Sequence, residues 1–228
     1  MRIASLFPEL LGTYGDAGNA LVLGERARRR GLVVEVVSVS MDDAVPSADL
    51  YLLGGGEDGP QRLACELLSA GSLASRVADG AFVVAVCAGL QLLGTSFSVE
   101  GDDDFPGLGV VDVVTRRGER RSVGDLATRV GDQWLVGFEN HGGVTTRGPG
   151  VGALGEVVRG RGNDGVSDGV RSPRVWATYA HGPVMAINPW FADAVLADVV
   201  GHDLAPLAGV ADDLHASRVA ALGLSPSG

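Results

Sequence analysis

Cys87 stands where a nucleophile would be placed. It ends the apolar run Ala81–Val86 and opens a small-residue turn, Cys87-Ala88-Gly89, from which Leu90-Gln91-Leu92-Leu93 continues with helical character. A short valine-rich run without polar interruption suits a strand buried on both faces of a parallel sheet. A cysteine on the elbow after such a strand lies at the carboxyl edge of the sheet, where a helix N-terminus favours thiolate over thiol. The N–H of Ala88 then points to where an oxyanion would form on a carbonyl attacked by the sulfur. Free cysteines are usually small buried hydrophobes. The elbow sets Cys87 apart from Cys65, which lies between Leu63 and Leu67 of a helical stretch, Pro60–Ser69, and reads as inert.

A thiolate nucleophile needs an imidazole to take and return its proton. Of the four histidines, His202 and His215 lie at a helix end and among charged neighbours, and both read as surface groups. His141 and His181 each follow a strand-like segment and precede glycine. His181 terminates Val175–Ala180 as Cys87 terminates its own run, so it is the expected base; His141 reads as structural or substrate-facing. A third strand tip is Gly54-Gly55-Gly56, directly after Asp49–Leu53. Glycines there let the backbone approach a ligand closely, and the Gly55 N–H is the expected second oxyanion donor beside Ala88.

The elements that must position these groups alternate. Strands are expected at Ile3–Leu6, Leu32–Val37 and Asp49–Leu53, and helices at about Gly18–Arg30, Asn188–Val200 and Ala211–Leu222. Between Gly109 and Thr146 short valine-rich segments with polar turns indicate hairpins, while Ser96–Gly107, with Asp102, Asp103 and Asp104, reads as an acidic surface loop. Arg147–Ser172 reads as a long glycine-rich surface loop. The glycine-rich Leu11–Leu23 lacks a phosphate-loop ending and reads as a strand-to-helix connection with Asp16 or Asn19 near a helix cap. The expectation is an α/β three-layer sandwich with a mostly parallel central sheet and a small β-hairpin extension, one domain over residues 1–228. Ligands of such sheets gather at the carboxyl ends of the strands, where Cys87, the three glycines and His181 all fall.

The totals narrow the function. A net charge of −10 argues against a nucleic-acid or anionic-membrane binder, although arginines bunch at 26–30 and 116–121. Two cysteines make no disulfide framework, and four histidines show no zinc spacing, so no metal is expected. The N-terminal apolar run stops at Pro8, and no stretch approaches the ~20 residues of a membrane span. A cytoplasmic protein is expected.

Cys87-Ala88-Gly89-Leu90-Gln91 resembles the Cys-x-Gly-x-Gln elbow of the class I (triad-type) glutamine amidotransferases, and Gly54-Gly55-Gly56 resembles their oxyanion-strand glycines. Tyr14-Gly15-Asp16-x-Gly18-Asn19, Gly137-Phe138-Glu139-Asn140-His141-Gly142-Gly143 and Thr178-Tyr179-x-His181-Gly182-Pro183 are similar to stretches of the cobyric-acid-synthase-like branch. They are most similar to its GatD-like members, the glutaminase subunits of lipid II isoglutaminyl synthases. The resemblance runs from Arg2 to about Val200 and implies a flavodoxin-like amidotransferase fold.

It also implies the chemistry. Cys87 and His181 would hydrolyse L-glutamine through a thioester, with Gly55 and Ala88 as oxyanion donors. Arg121, before Ser122-Val123-Gly124, would hold the α-carboxylate, with Arg120 the alternative, and Gln91 would contact the bound glutamine. Ammonia would pass, within a heterodimer, to a MurT-like Mur ligase subunit that amidates the D-glutamate α-carboxyl of lipid II. ATP and Mg²⁺ would belong to that ligase and no cofactor to this chain, and the complex would reach a membrane-anchored substrate without inserting. Amidotransferases of this class commonly carry a glutamate two residues after the histidine, where this chain has Pro183. A backbone group, an acid such as Asp16 or Glu139, or the ligase subunit could orient His181 instead, and the ligase is the expected source. The alternatives are an amidotransferase of another, cobalamin-type pathway and a non-catalytic scaffold on the same fold.

Overall fold

Short apolar strands alternate with helices from the first residue onward. In the computed structural model, which describes residues 1–71 and 73–225 but not the side chain of Asp102, β1 (Arg2–Leu6) leads into α1 (Gly18–Arg29). α1 lays Ala20, Leu23 and Ala27 into the core and ends with Arg26, Arg28 and Arg29 in its last turn. Cations there face the negative end of the helix dipole. Then come β2 (Glu35–Val39), β3 (Leu50–Leu53), α2 (Asp58–Ala70), α3 (Leu73–Ala78), β4 (Phe82–Val86) and α4 (Ala88–Leu93). Every residue of β3 and β4 is buried, because each strand is flanked by neighbours and covered on both faces. The second expected strand lies further along the chain than Leu32–Val37. It begins at Glu35 and is half-exposed, since β2 forms the sheet edge.

The middle of the chain builds a second sheet from β5 (Ser96–Val99), β6 (Asp102–Pro106), β7 (Val113–Val130), β8 (Gln133–Arg147), β9 (Gly155–Arg159) and β10 (Ser167–Asp168). Its order is β10-β9-β7-β5-β6, with β8 paired along β7. The extension is thus a full sheet. Its spine is the β7–β8 hairpin, turned by Gly131-Asp132. Ser96–Gly107 is a hairpin, not a loop, because alternate residues Phe97 and Val99 point into the core.

The glycine-rich Arg147–Ser172 likewise carries strands. Asn163 and Asp168 within it are fully buried, and the Asn163 amide donates to Gly169 O at 2.8 Å and accepts from Gly169 N at 3.0 Å. Side-chain amides here do the bridging that backbone ladders do elsewhere.

β11 (Val170–Ser172) and β12 (Val175–Thr178) return to the first sheet, followed by α5 (Val184–Ile187), α6 (Pro189–Val200) and α7 (Val210–Ala221). The first sheet runs β11-β12-β4-β3-β1-β2, parallel except for β11. The expected helix from Asn188 begins one residue later, because the Asn188 side chain bonds both backbone groups of Val136 on β8. Among the described residues no helix is long and apolar enough to cross a membrane.

One part-buried charge cluster locks α1 to α6. Asp193 accepts from Arg26 Nε and Nη2 at 2.6 and 2.7 Å and from Arg30 Nη2 at 2.7 Å. Both arginine side chains are nearly buried. Removing the acid leaves two cations without their partner, so Asp193→Ala is expected to destabilise the fold by about 3 kcal/mol. Urea unfolding of the two proteins side by side measures it.

Candidate active site

Cys87 is the residue between β4 and α4. Its backbone adopts φ 52°, ψ −107°, a conformation a non-glycine residue holds only when its surroundings impose it, at a cost on the order of 1–3 kcal/mol. Three contacts impose it. Cys87 N donates to Thr178 O of β12 at 2.9 Å, Gly89 N donates to Gly54 O at 3.1 Å, and Gln91 N donates to Cys87 O at 3.1 Å. The elbow is thereby clamped between the ends of β3 and β12. Cys65 differs in kind: it is buried on α2 and its thiol is pushed up to about 11 by burial, which leaves it protonated and unreactive at neutral pH.

His181 follows the end of β12 and is held on two sides. Its backbone pairs with Phe138 of β8, His181 N donating to Phe138 O at 2.8 Å. Its Nδ1 lies 2.8 Å from Asp16 Oδ2, and both side chains are buried. The opposite nitrogen, Nε2, has no hydrogen-bond partner among the described residues. The Cys87 sulfur falls short of a geometric hydrogen bond to it, as is common in unliganded sites, yet it is near enough to act on the ring. Burial disfavours the imidazolium, but Asp16 and the Cys87 thiolate outweigh it and the His181 pKa rises to about 10. His181 therefore holds its proton at neutral pH.

Asp16 corrects two sequence expectations. It does not cap α1, whose first turn has no side-chain cap; Asn19 also faces inward, accepting from Met185 N at 3.0 Å. The expectation that a ligase subunit supplies the acid behind His181 is overturned as well, because this chain's own carboxylate occupies Nδ1. The same oxygen accepts from Gly55 N at 2.8 Å. Gly55 is thus committed to Asp16 and does not line the cleft, so it is not free as the expected oxyanion donor. Its glycine identity has another cause, since a Cβ there would collide with His181 Cε1. The neighbouring Gly56 lines the cleft with Cys87 and Ala88.

The cleft in front of Cys87 is small, with a cavity volume of about 60 Å³, and its lining is mostly polar. Gln91 lines it, its Oε1 accepting from Gln61 Nε2 at 2.9 Å and its Nε2 donating to Tyr179 OH at 3.2 Å. Each end of that amide retains a further lone pair or N–H. Arg121 also lines the cleft, whereas Arg120 faces only an outer groove. Arg121 gets there through a wide bulge. β7 spends residues 118–121 opposite the single residue Gly142 of β8, which swings the guanidinium toward Cys87.

Sequence reasoning missed Asn140 and Arg117, and it left His141 as structural or substrate-facing. Asn140 binds Arg121 Nε at 2.5 Å. His141, stacked on Tyr179 at 3.9 Å and bonded to Glu139 at 3.1 Å, forms part of the cleft wall. Arg117, paired to Asp58, lines it too. His202 is exposed as expected, but His215 is half-buried, with Nδ1 on Ile187 O and its pKa lowered mainly by burial.

Residues 2–189 match the CobB/CobQ-like glutamine amidotransferase domain. The chain is 32% identical over 204 residues to the GatD subunit of the lipid II isoglutaminyl synthase (glutamine-hydrolyzing) of Staphylococcus aureus (strain N315), covering 86% of this chain and 83% of that one. It is 34% identical over 197 residues to the corresponding subunit of Streptococcus pneumoniae (strain ATCC BAA-255 / R6), covering 82% and 76%. A crystal structure of a glutamine amidotransferase superposes with a TM-score of 0.60 at 19% identity, over 86% of this chain and 98% of the other, a likeness of fold.

The raised pKa of His181 has a measurable consequence. A histidine whose folded pKa of about 10 exceeds its unfolded value of 6.5 contributes stability that is complete below pH 6.5 and is lost as pH rises through 10. Wild-type unfolding free energy is expected to fall over that window, and Asp16→Asn to fall less steeply. Denaturant midpoints at pH 6, 8 and 10 for both proteins give the comparison.

Proposed function

This chain belongs to the CobB/CobQ-like glutamine amidotransferase family, and from that premise we propose that residues 1–228 form one glutaminase domain that releases ammonia from L-glutamine for a ligase subunit. The observation that carries the reading is the strained Cys87 elbow facing an imidazolium held by Asp16, at the back of a cleft lined by Arg121.

The Cys87 thiolate attacks the side-chain amide carbon, forming a C–S bond and moving the carbonyl electrons onto oxygen. The N–H groups of Ala88 and Gly56 receive that oxyanion. Collapse breaks the C–N bond as His181 Nε2 gives its proton to the leaving nitrogen, which departs as ammonia. Neutral His181 then takes a proton from water, the hydroxide adds to the thioester, and glutamate leaves as the thiolate–imidazolium pair re-forms. Asp16 keeps Nδ1–H engaged throughout, fixing the tautomer and stabilising the charge. With Nε on Asn140, Arg121 offers its two terminal nitrogens as a fork for the α-carboxylate. Gln91 completes the wall beside the substrate.

The two GatD relatives are subunits of lipid II isoglutaminyl synthases, which supports the same assignment here: a cytoplasmic heterodimer with a MurT-like Mur ligase subunit. That subunit would bind ATP and Mg²⁺ and amidate the D-glutamate α-carboxyl of lipid II during peptidoglycan synthesis.

Because the acid behind His181 lies within this chain, the purified protein alone is expected to release glutamate from L-glutamine. Cys87→Ala is expected to abolish release, and Arg121→Ala to raise KM at least tenfold. Glutamate measured enzymatically over a range of glutamine concentrations tests all three. An isolated chain that is inactive until a ligase is added would overturn the self-sufficient site.

A further inference from the structure

Tyr14 is used by nothing in the mechanism above, yet its placement is costly. Among the described residues it is one of three non-glycine residues with positive φ, at 58°, and it is 43% exposed. Its ring meets the His181 imidazole edge-on, with centroids 5.0 Å apart, and meets Phe138 at 5.6 Å. Its hydroxyl accepts from Asn140 Nδ2. The other end of the Asn140 amide, Oδ1, accepts from Arg121 Nε. Two residues further on, Asp16 holds His181 at Nδ1. Residues 14–16 therefore strap the imidazole, and one hydrogen-bonded line runs from the strap through Asn140 to Arg121.

We propose that Tyr14 is a positioning residue that sets the Arg121 guanidinium through Asn140 and braces His181 with its ring, coupling substrate capture to the catalytic pair. The proposal rests on the glutaminase reading and deepens it. The physical basis is the asymmetry of the Asn140 amide. With Oδ1 on a guanidinium and Nδ2 on a hydroxyl, the amide has one favourable orientation, and the Arg121 fork inherits it. Without the hydroxyl the Nδ2 end loses its partner, and Asn140 and Arg121 gain freedom that substrate binding must remove. The ring acts separately: with Asp16 it fixes the imidazole plane, so that Nε2 faces Cys87.

The two parts of the side chain are separable. Tyr14→Phe deletes the hydroxyl and keeps the ring; it is expected to raise KM for L-glutamine about five- to tenfold with kcat within twofold of wild type. Tyr14→Ala removes both and is expected to lower kcat at least tenfold in addition. In the Arg121→Ala background, Tyr14→Phe is expected to add no further KM effect, because the line then ends on nothing.

A second measurement is independent of turnover: inactivation by 6-diazo-5-oxo-L-norleucine, a glutamine-shaped alkylating agent, against iodoacetamide, followed as mass added to Cys87. Tyr14→Phe is expected to weaken saturation by the glutamine-shaped reagent fivefold or more and to leave the iodoacetamide rate unchanged. An unchanged KM and unchanged saturation in Tyr14→Phe, or KM effects that multiply in the double variant, overturn the coupling while the glutaminase reading stands. A wild-type chain that neither hydrolyses glutamine nor takes the glutamine-shaped label overturns both.

Discussion

One carboxylate oxygen connects the parts of this site. Asp16 Oδ2 accepts from Gly55 N and faces His181 Nδ1, both at 2.8 Å. Three chain segments far apart in sequence thus meet at one atom: the loop before α1, the tip of β3 and the end of β12. The arrangement is buried, so its electrostatics are little screened by water, and it sustains a proton on His181 well above neutrality. Much of the local geometry follows from it. The Gly55 position cannot carry a side chain because the imidazole lies against it, and the loop must bend back over His181, which places Tyr14 at positive φ.

The second sheet contributes differently. Its β8 strand bonds to His181 through Phe138 and carries Asn140 and His141, while β7 carries Arg121. Behind them lies a polar interior: Glu139 accepts from Arg161 N and Gly162 N, and Asp168 accepts from Thr178 Oγ1 at 2.6 Å and Tyr179 N at 3.0 Å. Burial pushes the Asp168 carboxyl up to about 6. This network joins the two sheets through side chains and helps to fix the strand end after which His181 sits.

These features divide by how local their cause is. Cys87, Gly54–Gly56 and His181 were legible in sequence because a buried strand that stops at a small or reactive residue is visible within a few positions. The parallel core was legible for the same reason. Asp16 was reached only as one of several alternatives for orienting His181, since its partner lies 165 residues away and its surroundings resemble an ordinary helix start. Choosing Gly55 as oxyanion donor failed on the same missing contact. The stretch 147–172 was misread because its core is made of Asn163 and Asp168, polar residues whose burial only the folded neighbours explain. Arg121 was reached through resemblance alone, because a bulge that turns a side chain through a sheet has no periodic signal.

The bulge at residues 118–121 has a wider consequence. It lies between two regular stretches of the β7–β8 ladder and opposes a single partner residue, so its length and composition can change without disturbing the pairing on either side. Cys87 and His181, in contrast, follow adjacent hydrogen-bonded strands, and their separation is tied to the spacing of the sheet. The grip on the substrate's carboxylate end can therefore be loosened, tightened or moved while the reacting pair stays in place, so substrate capture and chemistry rest on parts of the fold that can change independently.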